Sequence, residues 1–231
     1  MLQPHLEQLN ADIAARRQVA LMTTLSTGAQ QVAHPGDAVA AELAGPLAEA
    51  FLKDKSQIVQ SAAGEVFINI FNPALRIIIV GAVHISQALI PMAKQAGYDV
   101  TVIDPRTAFA SGERFAGVAL DARWPDEALP GLALDRRTAF IALTHDPKID
   151  DPALTIALAS DCFYIGALGS TRTHAKRRER LTAAGHLTAP QLDRIRAPIG
   201  LDIGAIGAPE IAVSILAEVT GHLRGKAQIR S

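Results

Sequence analysis

The stretch Arg76–Arg106, RIIIVGAVHISQALIPMAKQAGYDVTVIDPR, constrains this chain more than any other part of it. Its β-branched run Ile77–Val80 suits a strand buried on both faces. Gly81 follows, and Ile85, Leu89, Met92 and Ala96 then recur at helical spacing up to Gly97. A second apolar run, Val100–Ile103, ends at Asp104, 23 residues beyond Gly81. Strand, glycine turn, helix, strand and acid in that order make half of a nucleotide-binding unit. In such a unit a carboxylate about 20 residues past the glycine accepts hydrogen bonds from ribose hydroxyls.

The glycine fingerprint is incomplete. G-x-G-x-x-G asks for glycine at 83 and 86, where the chain has Val83 and Ser86. The second glycine lets the backbone approach a pyrophosphate, so a β-branched side chain at 83 disfavours NAD(P) in the usual pose while leaving the fold intact. From Arg76 onward strand and helix patterns alternate, with further strands expected at Val118–Leu120, Ala139–Thr144 and Phe163–Ala167. Helices are expected at Pro152–Ala159, Thr171–Ala184, Ala189–Arg194 and Pro209–Leu223. The expectation is an α/β, Rossmann-like fold: a mostly parallel sheet with helices on both faces. Residues 1–72 read as a small α+β domain, and Pro73 opens the Rossmann-like domain 73–231.

Composition narrows the function. A formal net charge of -1 over 231 residues argues against a nucleic-acid surface or a basic face for an anionic membrane. No apolar run approaches the ~18 residues of a membrane helix, and the first residues lack the apolar core of a signal peptide, so a cytoplasmic protein is expected. One cysteine, Cys162, excludes an internal disulfide framework, fits a reducing compartment, and reads as a small buried residue.

Ligands of open α/β sheets bind beyond the carboxyl ends of the strands, so the polar residues after each strand are the candidates. They are Gly81, Val83 and His84; Asp104 and Arg106; Thr144, His145 and Asp146; Gly166, Gly169, Ser170, Arg172 and His174. All are expected to face one crevice. His84 suits either a ligand contact or a solvated helix start. His145 beside Asp146 suits a general base, a metal ligand or a strand-end hydrogen bonder, and no metal-ligand spacing is present. Asp150 reads as an N-cap for a helix near Pro152. The turn Gly166–Ser170 leads into a helix, whose first N–H groups suit an anion; a capping serine on a glycine turn is the plainer alternative. Lys176–Arg180, KRRER, reads as a solvated helix face. A last loop carries Gly200, Asp202 and Gly204, open to a ligand role or to a structural one with a capping Asp.

Three of these segments carry a family resemblance: THDPKIDDPAL, YIGALGSTRTHAKRRERL and RIRAPIGLDIGAIGAPEIAVSILAE. Together they resemble the C-terminal domain of the XdhC/CoxF maturation factors, over roughly Arg76 to Leu223. The resemblance implies a factor that binds molybdenum cofactor (molybdopterin or its dinucleotide form) and shelters it while its terminal sulfur is installed. It then helps insert the cofactor into a xanthine dehydrogenase-type molybdenum hydroxylase apoenzyme, as a chaperone more than a catalyst, with a cysteine desulfurase as a further partner. Two departures stand out. Val83 replaces the second glycine of the family's G-A-G-H turn, and the GGC-type motif of the family's N-terminal domain is absent from residues 1–72. The second departure implies either a separate XdhC N-terminal-domain protein or a homodimer completing the pocket.

Overall fold

A computed structural model describes residues 3–107, 114–185 and 187–226, and the chain divides into two units, Met1–Pro73 and Ala74–Ser231. In the first, α1 (Gln3–Ala14), β1 (Val19–Thr24), β2 (Gln30–Ala33), α2 (Ala41–Lys53), β3 (Gln57–Ser61) and β4 (Gly64–Phe71) build an antiparallel sheet in the order β2-β1-β4-β3. The pleat of β1 sends alternate residues to opposite faces. Ala20 and Met22 pack with Leu43, Leu47 and Phe51 of α2, while Val19 and Leu21 pack with Leu9 of α1.

The second unit contains β5 (Arg76–Val80), α3 (His84–Gln95), β6 (Asp99–Ile103), β7 (Ala119–Asp121), the short α4 (Pro125–Ala128) and β8 (Thr138–Ala142). It continues with α5 (Pro147–Leu158), β9 (Tyr164–Ala167), α6 (Thr171–Ala183), α7 (Ala189–Leu192), β10 (Ile195–Arg196) and α8 (Ala208–Leu223). The sheet order is β10-β9-β8-β5-β6-β7, and every pairing is parallel. Read from β7, this is the doubly wound order 3-2-1-4-5-6, whose winding reverses between β5 and β8. Both faces are covered. Ile77 and Ile79 pack under Leu89 and Ala93 of α3 and Ile215 and Val219 of α8, while Ile78 and Val80 pack under Ile149, Leu154 and Leu181 of α5 and α6. Each such side chain contributes about 1.5–3 kcal/mol when fully buried, which is why the strands read as continuous apolar runs.

Two local expectations are corrected. The helix expected from Pro152 begins at Pro147, because Asp146 is its N-cap and accepts from the Lys148 N–H; Pro152 lies inside the helix. Asp150 is therefore not a cap. Lys176–Arg180 is not wholly solvated either, because Arg177 is only 2% exposed.

Candidate functional site

At the reversal point, Gly81 lies so close to β8 that a Cβ there would sit 3.2 Å from the Leu143 carbonyl carbon and the Thr144 nitrogen. Only glycine lets the two strand ends meet without a shift. The turn's N–H groups are then consumed in succession. Gly81 donates to the Ile103 carbonyl (2.9 Å), Ala82 to Asp104 Oδ2 (2.7 Å), and Val83 to Ser86 Oγ (2.9 Å). Ser86, where the fingerprint asks for a third glycine, returns its hydroxyl to the Val83 carbonyl (2.7 Å). A pyrophosphate in the usual dinucleotide pose would compete with these internal acceptors.

Asp104 is wholly buried. Its Oδ1 accepts from the Arg106 N–H and Nε, each at 2.9 Å, and its Oδ2 from Arg106 Nη2 at 2.8 Å as well as from Ala82. Burial pushes its carboxyl up, but the hydrogen bonds from Arg106 and Ala82 outweigh that and hold it below the ordinary carboxylate range. A ribose would meet an acid already holding four hydrogen bonds. His84, the first residue of α3, is exposed.

After β8 the chain turns at Thr144 and His145. His145 has φ +62°, an uncommon left-handed conformation for a side chain of this size, and buried Asp150 holds it there. Asp150 accepts from the Thr144 hydroxyl (2.6 Å), the Thr144 N–H (3.3 Å) and the His145 N–H (3.1 Å). Burial pushes the Asp150 carboxyl up despite those bonds.

Within β9, Gly166 packs beneath Ile199, where a Cβ would sit 2.5 Å from Ile199 Cδ1 and 2.7 Å from the Tyr164 ring. The turn then enters α6, where Ser170 is the N-cap and accepts from the Thr173 N–H. The backbone N–H groups of Gly169, Ser170, Thr171 and Arg172 donate to no acceptor among the described residues. These donors, together with the positive end of the α6 dipole, favour an anion. The plainer alternative also holds, since Ser170 does cap the helix.

The loop before α8 closes the site. Buried Glu218 accepts from the Tyr164 hydroxyl (2.6 Å) and from the Gly200 N–H (2.7 Å). Gly200 has φ +92°, and a Cβ there would collide with Ser214 Oγ. Between this loop and the α6 turn lies a cavity of about 770 Å³, bounded by His145, Gly169, Ser170, Ile199, Gly200 and Asp202 among others. Its volume falls within the ~300–1,000 Å³ of small-molecule sites.

The structure thus gathers His145, Gly169, Ser170, Gly200 and Asp202 around one cavity; Thr144 and Gly166 do not line it. Arg172 joins His145 in a smaller neighbouring cavity. Gly81, Val83, His84, Asp104, Arg106, Asp146 and His174 line neither. His174 is pushed below the ordinary histidine range, by burial first and then by Arg177 and Arg178. Sequence reasoning passed over Arg177 and Glu218 and mistook Asp150 for a cap. Each carried a signal: Arg177 precedes the apolar Leu181 by one helical turn, and Glu218 stands inside the apolar stretch of α8. Among the described residues no three His, Cys, Asp or Glu side chains gather as metal ligands, and no helix is long and apolar enough to cross a membrane.

An all-parallel, doubly wound sheet with a ligand-sized cavity beyond its strand ends defines a Rossmann-type α/β protein. Residues 77–219 match the sequence model of the XdhC Rossmann domain, and the chain belongs to that family. It is 34% identical over 149 residues to the molybdenum cofactor insertion chaperone PaoD of Escherichia coli K12, covering 64% of this chain and 40% of that protein. It is 31% identical over 154 residues to a probable xanthine dehydrogenase subunit of Bacillus subtilis 168, covering 66% and 44%. The matches thus span less than half the length of these curated relatives. A crystal structure described as a xanthine dehydrogenase from Bacillus halodurans superposes with a TM-score of 0.67 at 24% identity, over 97% of this chain and 68% of that one, and shares the fold.

Proposed function

We propose that this chain is a maturation factor that binds molybdenum cofactor in the 770 Å³ cavity and delivers it to a molybdenum hydroxylase apoenzyme of the xanthine dehydrogenase type. The single observation that carries the reading is the pairing of that cavity with the unengaged N–H groups at the start of α6, in a chain of the XdhC family. The names of the PaoD and Bacillus subtilis relatives support the same direction. The donor set fits the cargo. Gly169, Ser170, Thr171 and Arg172 offer N–H groups to the phosphate of a pterin or of its dinucleotide form. Asp202 offers a carboxylate to a ring N–H, and Ile199 and Ile211 give an apolar wall. The molybdenum centre supplies chemistry only to the client; this chain's residues hold, orient and shield it.

In its finer form the proposal has the factor shelter the cofactor while a cysteine desulfurase supplies the terminal sulfur, in the cytoplasm. A homodimer or a separate XdhC N-terminal-domain protein completes the assembly. A second reading, an NAD(P)-dependent oxidoreductase, draws support from the doubly wound strand order. It meets the obstacle that Ala82 and Val83 already commit their N–H groups to Asp104 and Ser86.

Calorimetry of the full chain with molybdopterin and with NAD separates the two. The expected result is molybdopterin binding, with weaker or undetectable NAD binding, and recovery of activity when the loaded chain meets client apoenzyme. Tight NAD binding and steady hydride transfer to small alcohols or aldehydes, with no molybdopterin binding, would overturn the reading.

A further inference from the structure

We infer that the second cavity of this unit is a binding site for a single phosphoryl dianion, either free phosphate or the phosphate end of an ester. It encloses about 140 Å³ between the start of α5 and one face of α6, room for a few water molecules at ~30 Å³ each or for one phosphate group. His145 borders both this cavity and the larger one.

The helical repeat builds its wall. Arg172, Lys176 and Arg180 follow one another at four-residue spacing and so lie on one face of α6, with Arg177 beside them. Arg177 is the decisive member. Its side chain is 2% exposed, its Nη2 donates to the Leu168 carbonyl (2.8 Å), and Nη2 stands 3.9 Å from Asp150 Oδ2. Its Nε and Nη1 are buried and have no hydrogen-bond partner among the described residues. A guanidinium left this way bears the full desolvation cost of its unmatched donors. Phosphate oxygens are among the acceptors to which guanidinium N–H groups donate strong, charge-assisted hydrogen bonds.

The charge balance agrees. Four cations line or border the cavity, Arg172, Lys176, Arg177 and Arg180. Against them stand two carboxylates, both engaged: Asp150 with Thr144 and His145, and Asp151 with Arg180 at 2.6 and 3.0 Å. The excess of two positive charges matches a dianion, and a neutral or cationic ligand has nothing here to offset it.

The inference stands apart from the molybdenum cofactor reading, because inorganic phosphate alone tests it. Calorimetric titration of the full chain with phosphate at low ionic strength, against matched chloride, is expected to show saturable one-to-one binding. Arg172→Ala and Lys176→Ala, both exposed and outside the core, are each expected to weaken it about tenfold. Arg177→Met is expected to remove it, and the two exposed variants keep the test decisive if that buried change disturbs folding. Competition with phenyl phosphate distinguishes the sources: displacement identifies an ester end, and no displacement identifies the free ion. Absence of saturable phosphate binding, or binding that Arg172→Ala and Lys176→Ala leave unchanged, overturns the inference. Molybdopterin binding is measured separately, and its loss in Lys176→Ala is not expected, because Lys176 lines only the smaller cavity.

Discussion

Asp150 holds the turn that follows β8, because three donors from two residues, Thr144 and His145, converge on one buried carboxylate. Asp150→Ala leaves these donors without their acceptor and buried Arg177 without its counter-charge at 3.9 Å. The expected cost is about 3–5 kcal/mol, read as a lower denaturant midpoint at unchanged slope. A loss below about 0.5 kcal/mol, the range of ordinary surface changes, would show that the contacts are incidental. Gly200 makes the complementary case, in which the missing side chain matters. Gly200→Ala must adopt φ +92° and displace Ser214, so the loop that borders the large cavity shifts. Molybdopterin binding is expected to weaken at least tenfold, while far-ultraviolet circular dichroism stays unchanged. Normal binding by this variant would remove the loop from the site.

At the scale of elements, the start of α5 shows how a local signal misleads. Pro152 marks a helix start by the usual rule, yet Asp146 and Pro147 offer a better one five residues earlier, an N-cap followed by proline at the first helical position. Asp146→Ala is expected to cost about 1 kcal/mol, seen as a lower melting temperature of the full chain. In the first unit, α1 and the end of β2 are joined by a buried acid. Asp12 meets His34 Nε2 at 2.9 Å and Arg17 Nε at 2.6 Å. The hydrogen bond to Asp12 raises the His34 pKa against the effect of burial. Burial pushes Asp12 up, but the bonds from His34 and Arg17 outweigh it and leave Asp12 lowered. A raised histidine stabilises the fold below its unfolded pKa of ~6.5 and loses that contribution as pH rises through its folded value. A lowered aspartate stabilises it above ~3.9 and loses that as pH falls. The pair therefore contributes most at mildly acidic pH. Melting temperatures across a pH series are expected to fall above neutrality less steeply for His34→Gln than for the parent chain; identical slopes would rule the pair out.

At the scale of the whole molecule, each unit carries its own apolar clusters, those of the first drawn wholly from Met1–Pro73 and those of the second from Ala74–Ser231. A fragment beginning at Ala74 is accordingly expected to unfold cooperatively by itself in denaturant; a non-cooperative transition would contradict this. The alternation of elements, the burial of Ile77–Val80 on both faces and the turns at Gly81 and Gly169 were legible from the chain, because each depends on neighbours within one helical turn or one pleat. The approach of His145 and Ser170 to one cavity beyond the strand ends also follows from parallel connectivity, but Gly81, Val83, His84, Asp104 and Arg106, expected in the same crevice, line neither cavity, and Asp202 was open to a structural role as well. The engagement of the Ala82 N–H by Asp104, the burial of Arg177 and the tie from Glu218 to Tyr164 and Gly200 were not legible. These depend on which strands become neighbours and how far helices sink into the sheet, and they join residues as far as 54 positions apart. The sequence by itself determined a doubly covered parallel sheet, since hydrophobic periodicity is a local property. Only the tertiary structure decided which polar groups face a ligand and which are consumed in holding the fold, because that choice is settled by competition for hydrogen bonds among groups the chain brings together from afar.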